Sequence, residues 1–217
     1  MTTAKQEKTI VIPPPNFGRA AFEIKGTEVL VIKRFSAKTK ERLTQIMEDG
    51  KPASSKKKRE PKNTDDIFNE ARYVSPGGWD GFHAAALRKA MISACRLVNF
   101  KMVLAKLSVF VEADGHDEKE PQIPLIRIRG CKPVKQEDRS LTSTGQPYIN
   151  VRPAYHNWSA IVNIRWDLDQ FTTNDIANLL SRVGQQVGLC EGRPDSKNSA
   201  GMGWGLFELA STKGVRK

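Results

Sequence analysis

A glycine-spaced segment near the C-terminal end constrains the fold of this chain most strongly. Gly201, Gly203 and Gly205 alternate with larger residues and lead directly into an apolar run at 206–209. A backbone without Cβ atoms lets another group approach closely. The segment therefore predicts a glycine-rich loop before a last strand, with something packed against its backbone.

The charge of the chain suggests what that neighbouring group is. Lysine and arginine total 35 against 24 acidic residues, which gives a formal net charge of +11. A basic excess favours a polyanionic partner such as a phosphate backbone. Solubility alone is the alternative, but the basic residues are clustered rather than spread.

The densest basic cluster lies in a polar segment at 51–63 and consists of Lys56, Lys57, Lys58 and Arg59. The segment has almost no apolar residues to offset the entropy of ordering, so we expect it to be disordered. It is either a solvated loop or a finger that contacts phosphates.

Several classes of protein are not expected. The three cysteines, Cys95, Cys131 and Cys190, have no paired spacing, so neither a disulfide framework nor a zinc site is predicted, and a reducing, cytoplasmic compartment fits best. No apolar run reaches about 18 residues, and the N-terminal residues lack a signal-like apolar stretch. We therefore expect no membrane span and no secretory signal.

Apolar periodicity predicts the order of helices and strands. The expected elements are two strands within 19–35, a short helix at 37–48 capped by Ser36, a helix at about 81–98 capped by Asp80, strands at 104–113, 125–129 and 158–168, a helix from Thr172 or Thr173, and a strand at 206–210. An acidic loop is expected at 114–120, and irregular structure at 130–147.

Without insertions this order is strand, helix, strand, strand, helix, strand. It predicts an α+β protein with a ferredoxin-like (RRM-type) antiparallel sheet and two helices packed on one face. We expect a single domain at 19–211, with insertions at about 36–72 and 114–157. An extended arm at 1–18 would precede the domain and a basic tail at 212–217 would follow it.

Two segments carry a resemblance to a known family: the turn at 75–78 leading into 82–88, and the glycine segment at 201–205. Through them the chain resembles the RAMP superfamily, whose modified RRM domains form the backbone of CRISPR surveillance complexes and have a glycine-rich loop before the last strand. The turn here reads Pro-Gly-Gly-Trp, where the family more usually has glycine, a hydrophobic residue and proline. The chain is still more similar to a group of phage and prophage proteins, through 82–96, 148–164 and 187–194.

The resemblance implies a basic surface near the first helix that holds RNA. Arg88, Lys89 and Arg96 would contact phosphates there, and the backbone amides of the glycine loop would lie close to the strand. It also implies side-by-side assembly into a homo-oligomer or filament. From the residues alone, Arg88 and Lys89 are equally well explained as a solvated helix face.

Aromatic residues near arginine suggest base stacking. Arg152, Tyr155 and Trp158 lie together after an irregular segment, and such a combination suits single-stranded nucleic acid. The alternative for Trp158 and Trp166 is the core, because both lie on the apolar face of a strand. Both interpretations also remain open for the tryptophan at 204, whose glycine neighbours leave it room to point outward.

No catalytic constellation is visible. Some RAMP proteins cleave RNA at a histidine-containing site, but His83, His116 and His156 have no informative spacing. The acidic loop lacks calcium-loop spacing, and the glycines lack the lysine and hydroxyl residue of a nucleotide-binding loop. We therefore expect no catalytic residue, metal or cofactor.

The sequence favours a single-stranded nucleic-acid-binding protein that coats DNA or RNA as an oligomer, in phage replication or recombination if it belongs with the phage group. Basic residues with aromatics serve RNA and DNA alike, so both stay open. The alternatives are an RNA-processing endonuclease of RAMP type and an interaction protein that mimics a CRISPR backbone subunit.

Overall fold

Helices and antiparallel strands are mixed along the chain in the computed structural model, which describes residues 12–35, 37–50, 63–141, 145–196 and 201–216. The α+β class predicted from the sequence is confirmed. The strands are β1 (Phe17–Gly26), β2 (Leu30–Val31), β3 (Tyr73–Val74), β4 (Asp80–His83), β5 (Val109–Glu112), β6 (Gly115–His116), β7 (Pro124–Arg127), β8 (Val134–Leu141), β9 (Pro147–Tyr155), β10 (Ser159–Asp167) and β11 (Phe207–Arg216). The helices are α1 (Ala37–Asp49), α2 (Thr64–Glu70), α3 (Ala84–Ala94), α4 (Met102–Ser108) and α5 (Thr173–Arg182), with a 3₁₀ turn at Cys95–Val98 and a π-helical turn at Val183–Val187.

The main sheet has the strand order β11-β1-β10-β5, and each neighbouring pair is antiparallel. Its central strand β10 alternates as the sequence predicts. Ala160, Val162, Ile164 and Trp166 are fully buried, and the residues between them are half-exposed. A strand points successive side chains to opposite faces, so one face of the sheet is apolar and the other polar.

The core lies between the apolar face of the main sheet and helices α3 and α5. It contains Phe22 from β1, Leu87 and Met91 from α3, and Ile176 and Leu180 from α5. Burying a side chain of this size stabilises the fold by roughly 1.5–3 kcal/mol. This packing is what fixes the sheet and its two helices as one unit.

Both strand tryptophans belong to this core. The indole Nε1 of Trp158 donates to the carbonyl oxygen of Glu28 at 2.9 Å, and that of Trp166 donates to the carbonyl oxygen of Phe171 at 2.9 Å. Each buried ring therefore has its polar group satisfied. The core interpretation holds for both residues, and neither can stack on a base.

Two smaller sheets flank the main one, with orders β2-β9-β8 and β3-β4-β7-β6. A β-bridge between Arg129 and Ser159 joins the second of them to β10. Arg34 and Asp117 form a buried ion pair at 2.9 Å, and Asp117 also accepts the backbone N–H groups of Val74 and Glu120. Removing Arg34 would leave the buried carboxylate of Asp117 without its cation, while removing Asp117 would leave Arg34 only the longer contact with Glu120 at 3.8 Å. The pair therefore holds the flanking segments in place.

Helix α5 begins where the sequence predicts. Thr172 is its N-cap and forms a reciprocal capping box with Asp175. Hydrogen bonds from the Thr172 hydroxyl and backbone N–H lower the pKa of Asp175. Helix α1 also matches its predicted span, whereas its predicted cap Ser36 lies outside the described residues.

The helix predicted at about 81–98 begins later than expected. Asp80 does not cap it but belongs to β4, where Arg72 holds its carboxylate through two hydrogen bonds. Phe82 pairs with β7 opposite Ile126, so a residue that fits the helical period is in a strand. The N-cap is His83, whose Nδ1 accepts the backbone N–H of Ala85 at 3.1 Å.

The strand predicted at 104–113 is wrong over its first half, which is the end of helix α4. The strand prediction rested on an alternation of Leu107, Val109 and Val111, but Leu107 lies on α4 and is 68% exposed. Arg88 from α3 explains where this helix ends. Its Nη2 donates to the carbonyl oxygen of Lys106 at 2.6 Å and its Nε to that of Val109 at 2.9 Å.

Three further boundaries differ from the prediction. The segment 130–147 is not irregular throughout, since it contains β8, a largely polar and exposed hairpin strand without apolar alternation. The last strand, β11, runs to Arg216 and includes most of the predicted tail. Strand β1 begins at Phe17, inside the predicted arm, because its pairing with β10 starts there.

The histidine cap predicts a pH dependence of stability. Burial, with a smaller contribution from Lys89, lowers the pKa of His83. The neutral imidazole is the form that accepts the N–H of Ala85. The stabilisation is therefore fully present above the unfolded pKa of about 6.5 and is lost as the pH falls below it.

Urea unfolding at pH 7, 6 and 5 measures this contribution. A His83→Asn variant keeps a capping side chain that does not titrate, so its stability should fall less between pH 7 and 5 than that of the wild type. An equal fall in both proteins would contradict the role of His83 as a titrating cap.

Candidate nucleic-acid interface

The face of the main sheet opposite the helices carries arginine and phenylalanine side chains in one cross-strand row. Arg165 on β10 lies opposite Arg19 on β1 and opposite Phe110 on β5. Directly opposed residues on neighbouring strands share a face. Phe17 extends this row at the start of β1, and we call these four residues the Arg–Phe face.

The centre of the Arg–Phe face is a guanidinium held between two rings. The Cζ atom of Arg165 lies 4.8 Å from the ring centroid of Phe17 and 4.9 Å from that of Phe110. The two rings meet edge to face with their centroids 5.8 Å apart. Within the part of the chain that the structure describes, the buried Nε of Arg165 has no hydrogen-bond partner.

Arg19 is the more exposed cation of this face. Its side chain is 63% exposed, and its Nε lies 3.3 Å from a carboxylate oxygen of Glu112. In the register, Arg19 lies directly opposite Arg165, so two arginines oppose each other on β1 and β10. Like charges in opposed positions are unfavourable, and a bound anion would relieve that repulsion.

This arrangement suits a flexible polyanion with exposed aromatic groups. Phe17 is 38% exposed and Phe110 is half-buried, so both rings reach the surface. Aromatic side chains stack on nucleobases of any sequence, and arginine donates to phosphate oxygens in bidentate geometry.

The three basic residues predicted on the first helix differ in whether their side chains are already bound within the protein. Lys89 is exposed. Arg96 is hydrogen-bonded to Ser93 and forms an ion pair with Asp195 at 2.7 Å. The donors of Arg88 bind the end of α4, while its guanidinium lies 5.0 Å from the ring centroid of Phe110, at the edge of the Arg–Phe face.

Arg152 and Tyr155 hold elements of the protein together. Arg152 is buried, lies 5.1 Å from the ring centroid of Trp204, and forms ion pairs with Asp138 and Glu191. It thereby connects the β8–β9 hairpin to the glycine loop.

Tyr155 requires a correction. Its ring is 0% exposed, and burial, with Asp80 contributing, raises the pKa of its hydroxyl. The stacking role predicted for Tyr155 is wrong in this conformation, because β9 places the ring in the core.

The close neighbour of the glycine loop is the chain itself. A Cβ atom on Gly205 would lie 2.0 Å from the carbonyl oxygen of Leu189, and one on Gly201 would lie 2.2 Å from that of Arg193. At Gly203, no atom of the described residues lies within 4 Å of such a position. The glycine spacing predicted a close neighbour and the charge suggested a phosphate backbone, but at Gly201 and Gly205 the described neighbour is the chain's own backbone at 189–193. A contact between nucleic acid and Gly203 stays a prediction.

Other predicted residues lie apart from this face or outside the described residues. Lys56, Lys57, Lys58 and Arg59 belong to the segment 51–62, which the structure does not describe. Among the histidines, His83 is a helix cap, and His116 and His156 are exposed.

Cysteine and metal chemistry receives no support from the described residues. Cys95, Cys131 and Cys190 are free, and burial raises the pKa of each thiol, to about 12 for Cys190. A thiol with a raised pKa is a poor nucleophile and a poor metal ligand at neutral pH. The described ranges contain no group of three or more acidic, histidine or cysteine residues placed to hold a metal ion.

Sequence reasoning did not identify Phe17, Arg19 and Phe110 as candidate interface residues. The alternation of β10 did place Arg165 on the face opposite Trp166. The pairing of β1 and β5 with β10, which brings the other three residues to that face, involves segments far apart in the chain.

Comparison of the sequence with models of protein families and with curated proteins finds no match. Among the helices of the described residues, none has the length and apolar character needed to cross a membrane.

The glycine loop gives a matched pair of stability predictions. Gly203→Ala should cost about 1–2 kcal/mol, because a residue with a Cβ is disfavoured at positive φ, here +76°. Gly205→Ala adds an overlap between the new Cβ and the carbonyl oxygen of Leu189. It should lower the free energy of unfolding by more than about 4 kcal/mol, a loss that few single substitutions cause.

Chemical denaturation of both variants measures the difference. Equal losses of stability would show that the loop does not pack against residue 189 in solution.

Proposed function

We propose that this protein binds single-stranded DNA or RNA across the Arg–Phe face. The observation that carries the proposal is the guanidinium of Arg165, held between the rings of Phe17 and Phe110. The formal net charge of +11 supports a polyanionic ligand.

The side chains of this face favour a single strand over a duplex. Stacking on Phe17 or Phe110 requires a base whose face is free, and paired bases inside a duplex do not offer one. Arg19 would contact phosphates beside the stacked bases. Recognition of this kind involves little sequence readout.

The strand order supports a finer description of the fold. The order β11-β1-β10-β5, with α3 after β1 and α5 after β10, is the order expected of a ferredoxin-like domain. We propose that the main sheet is of this type and that the flanking sheets are insertions, which fits the resemblance to RAMP proteins. We further propose that copies assemble side by side along the strand, in phage replication or recombination.

Fluorescence anisotropy with labelled single-stranded DNA, single-stranded RNA and duplex of equal length tests the proposed binding. Phe110→Ala should weaken binding by roughly 5–100-fold, the effect of losing one stacked base. Arg165→Gln should weaken it similarly and should reduce the salt dependence of the dissociation constant.

Arg139→Gln is the matched control, because it removes the same charge from an exposed position on β8, outside the main sheet. It should change the affinity less than about twofold, within the range expected of a distant surface charge. Circular dichroism of each variant checks that it is folded. Equal affinities for all variants, or no binding of either single strand at low salt, would contradict the proposal.

A further inference from the structure

A groove of about 690 Å³ lies on the helix side of the main sheet, between α5 and the 3₁₀ turn. Phe100, Phe171 and Leu179 contribute apolar lining, and the first two rings pack with centroids 4.7 Å apart. The groove is in the size range of ligand sites, and it is separate from the Arg–Phe face.

Side-chain amides surround this apolar lining. They belong to Gln170, Asn178, Gln185 and Gln186. Each amide both donates and accepts hydrogen bonds, as peptide groups require. One acidic and one basic residue, Asp175 and Arg182, also line the groove, so its lining has no net charge. The lining therefore suits an extended peptide with apolar side chains better than it suits a charged ligand.

The N-terminal arm leaves the domain beside this groove. The carbonyl oxygen of Asn16 accepts the N–H of Leu168 at 2.9 Å, and the Asn16 side-chain amide donates to Asp169 at 3.2 Å. The next two residues, Gln170 and Phe171, line the groove. Any peptide that continues from Asn16 thus starts close to the groove.

The arm has the composition of the peptide that the groove suits. Residues 9–12 read Thr-Ile-Val-Ile, a β-branched apolar run, and its last residue, Ile12, is 85% exposed. The three prolines at 13–15 follow it. Proline runs are stiff and rise about 3.1 Å per residue, so they hold the apolar run away from the domain that carries it.

We propose that the apolar segment 9–12 of one copy occupies this groove in a second copy. The stiff proline run favours a neighbouring copy over the groove of the same chain. Because each copy has one arm and one groove, the contact is head to tail and repeats into chains or rings. This contact needs no nucleic acid, so it can be tested separately from the proposed strand binding.

Sedimentation of the protein without nucleic acid tests the contact. Two variants should each raise the dissociation constant for self-association at least tenfold. They are the arm variant Ile10→Asp/Ile12→Asp and the groove variant Asn178→Trp. Asn178 is exposed, so the tryptophan fills the groove without entering the core. Val98→Asp, at a 46% exposed residue of the lining, is a second groove variant.

Mixing the two kinds of variant separates this contact from other modes of association. An equal mixture of the arm variant and a groove variant should form a dimer with one copy of each, because one intact arm meets one intact groove. Thr3→Asp, a control with a new charge outside the apolar segment, should associate like the wild type.

Three results would overturn the proposal. They are a wild type that stays monomeric at all concentrations, variants that associate as the wild type does, and a mixture that remains monomeric. A monomeric wild type could also have an arm that resists proteolysis only when the groove is intact. That result would place the arm in the groove of its own chain, and it would reject exchange between copies.

Discussion

The pairing of β1 with β10 is the constraint on which the rest of the structure depends. Its ladder runs from Phe17 opposite Asp167 to Lys25 opposite Ser159. A shift of one residue would turn every side chain of a strand to the other face. The same register therefore sets Phe22 and Val162 in the core and brings Arg19 and Arg165 together on the opposite face.

The basic residues of this protein differ in how much of their hydrogen-bonding capacity the fold already uses. Arg88 binds the carbonyl oxygens at the end of α4, and Arg152 joins a hairpin to the glycine loop through its ion pair with Asp138 and its contact with the Trp204 ring. Arg165, by contrast, is held by contacts with two rings, and its guanidinium forms no ion pair among the described residues. A phosphate or base would meet less competition at Arg165 than at the arginines that hold the structure together.

Local patterns in the sequence predicted local features. The alternation of β10, the cap at Thr172 and the close approach to the glycine loop could all be inferred, since each depends on neighbouring residues. The strand at Phe82 and the end of α4 could not, because they depend on pairing with β7 and on hydrogen bonds from Arg88. The Arg–Phe face could be inferred only in part, because contacts between distant segments assemble it.

Photo-crosslinking of a single-stranded oligonucleotide to the wild-type protein, with the modified peptides identified by mass spectrometry, tests the central claim most directly. The account predicts crosslinks in the peptides that contain Phe17 and Phe110, and their loss when unlabelled single strand competes. Crosslinks confined to the helix side, around Lys89 and Arg96, would contradict it and assign strand binding to the opposite surface of the sheet.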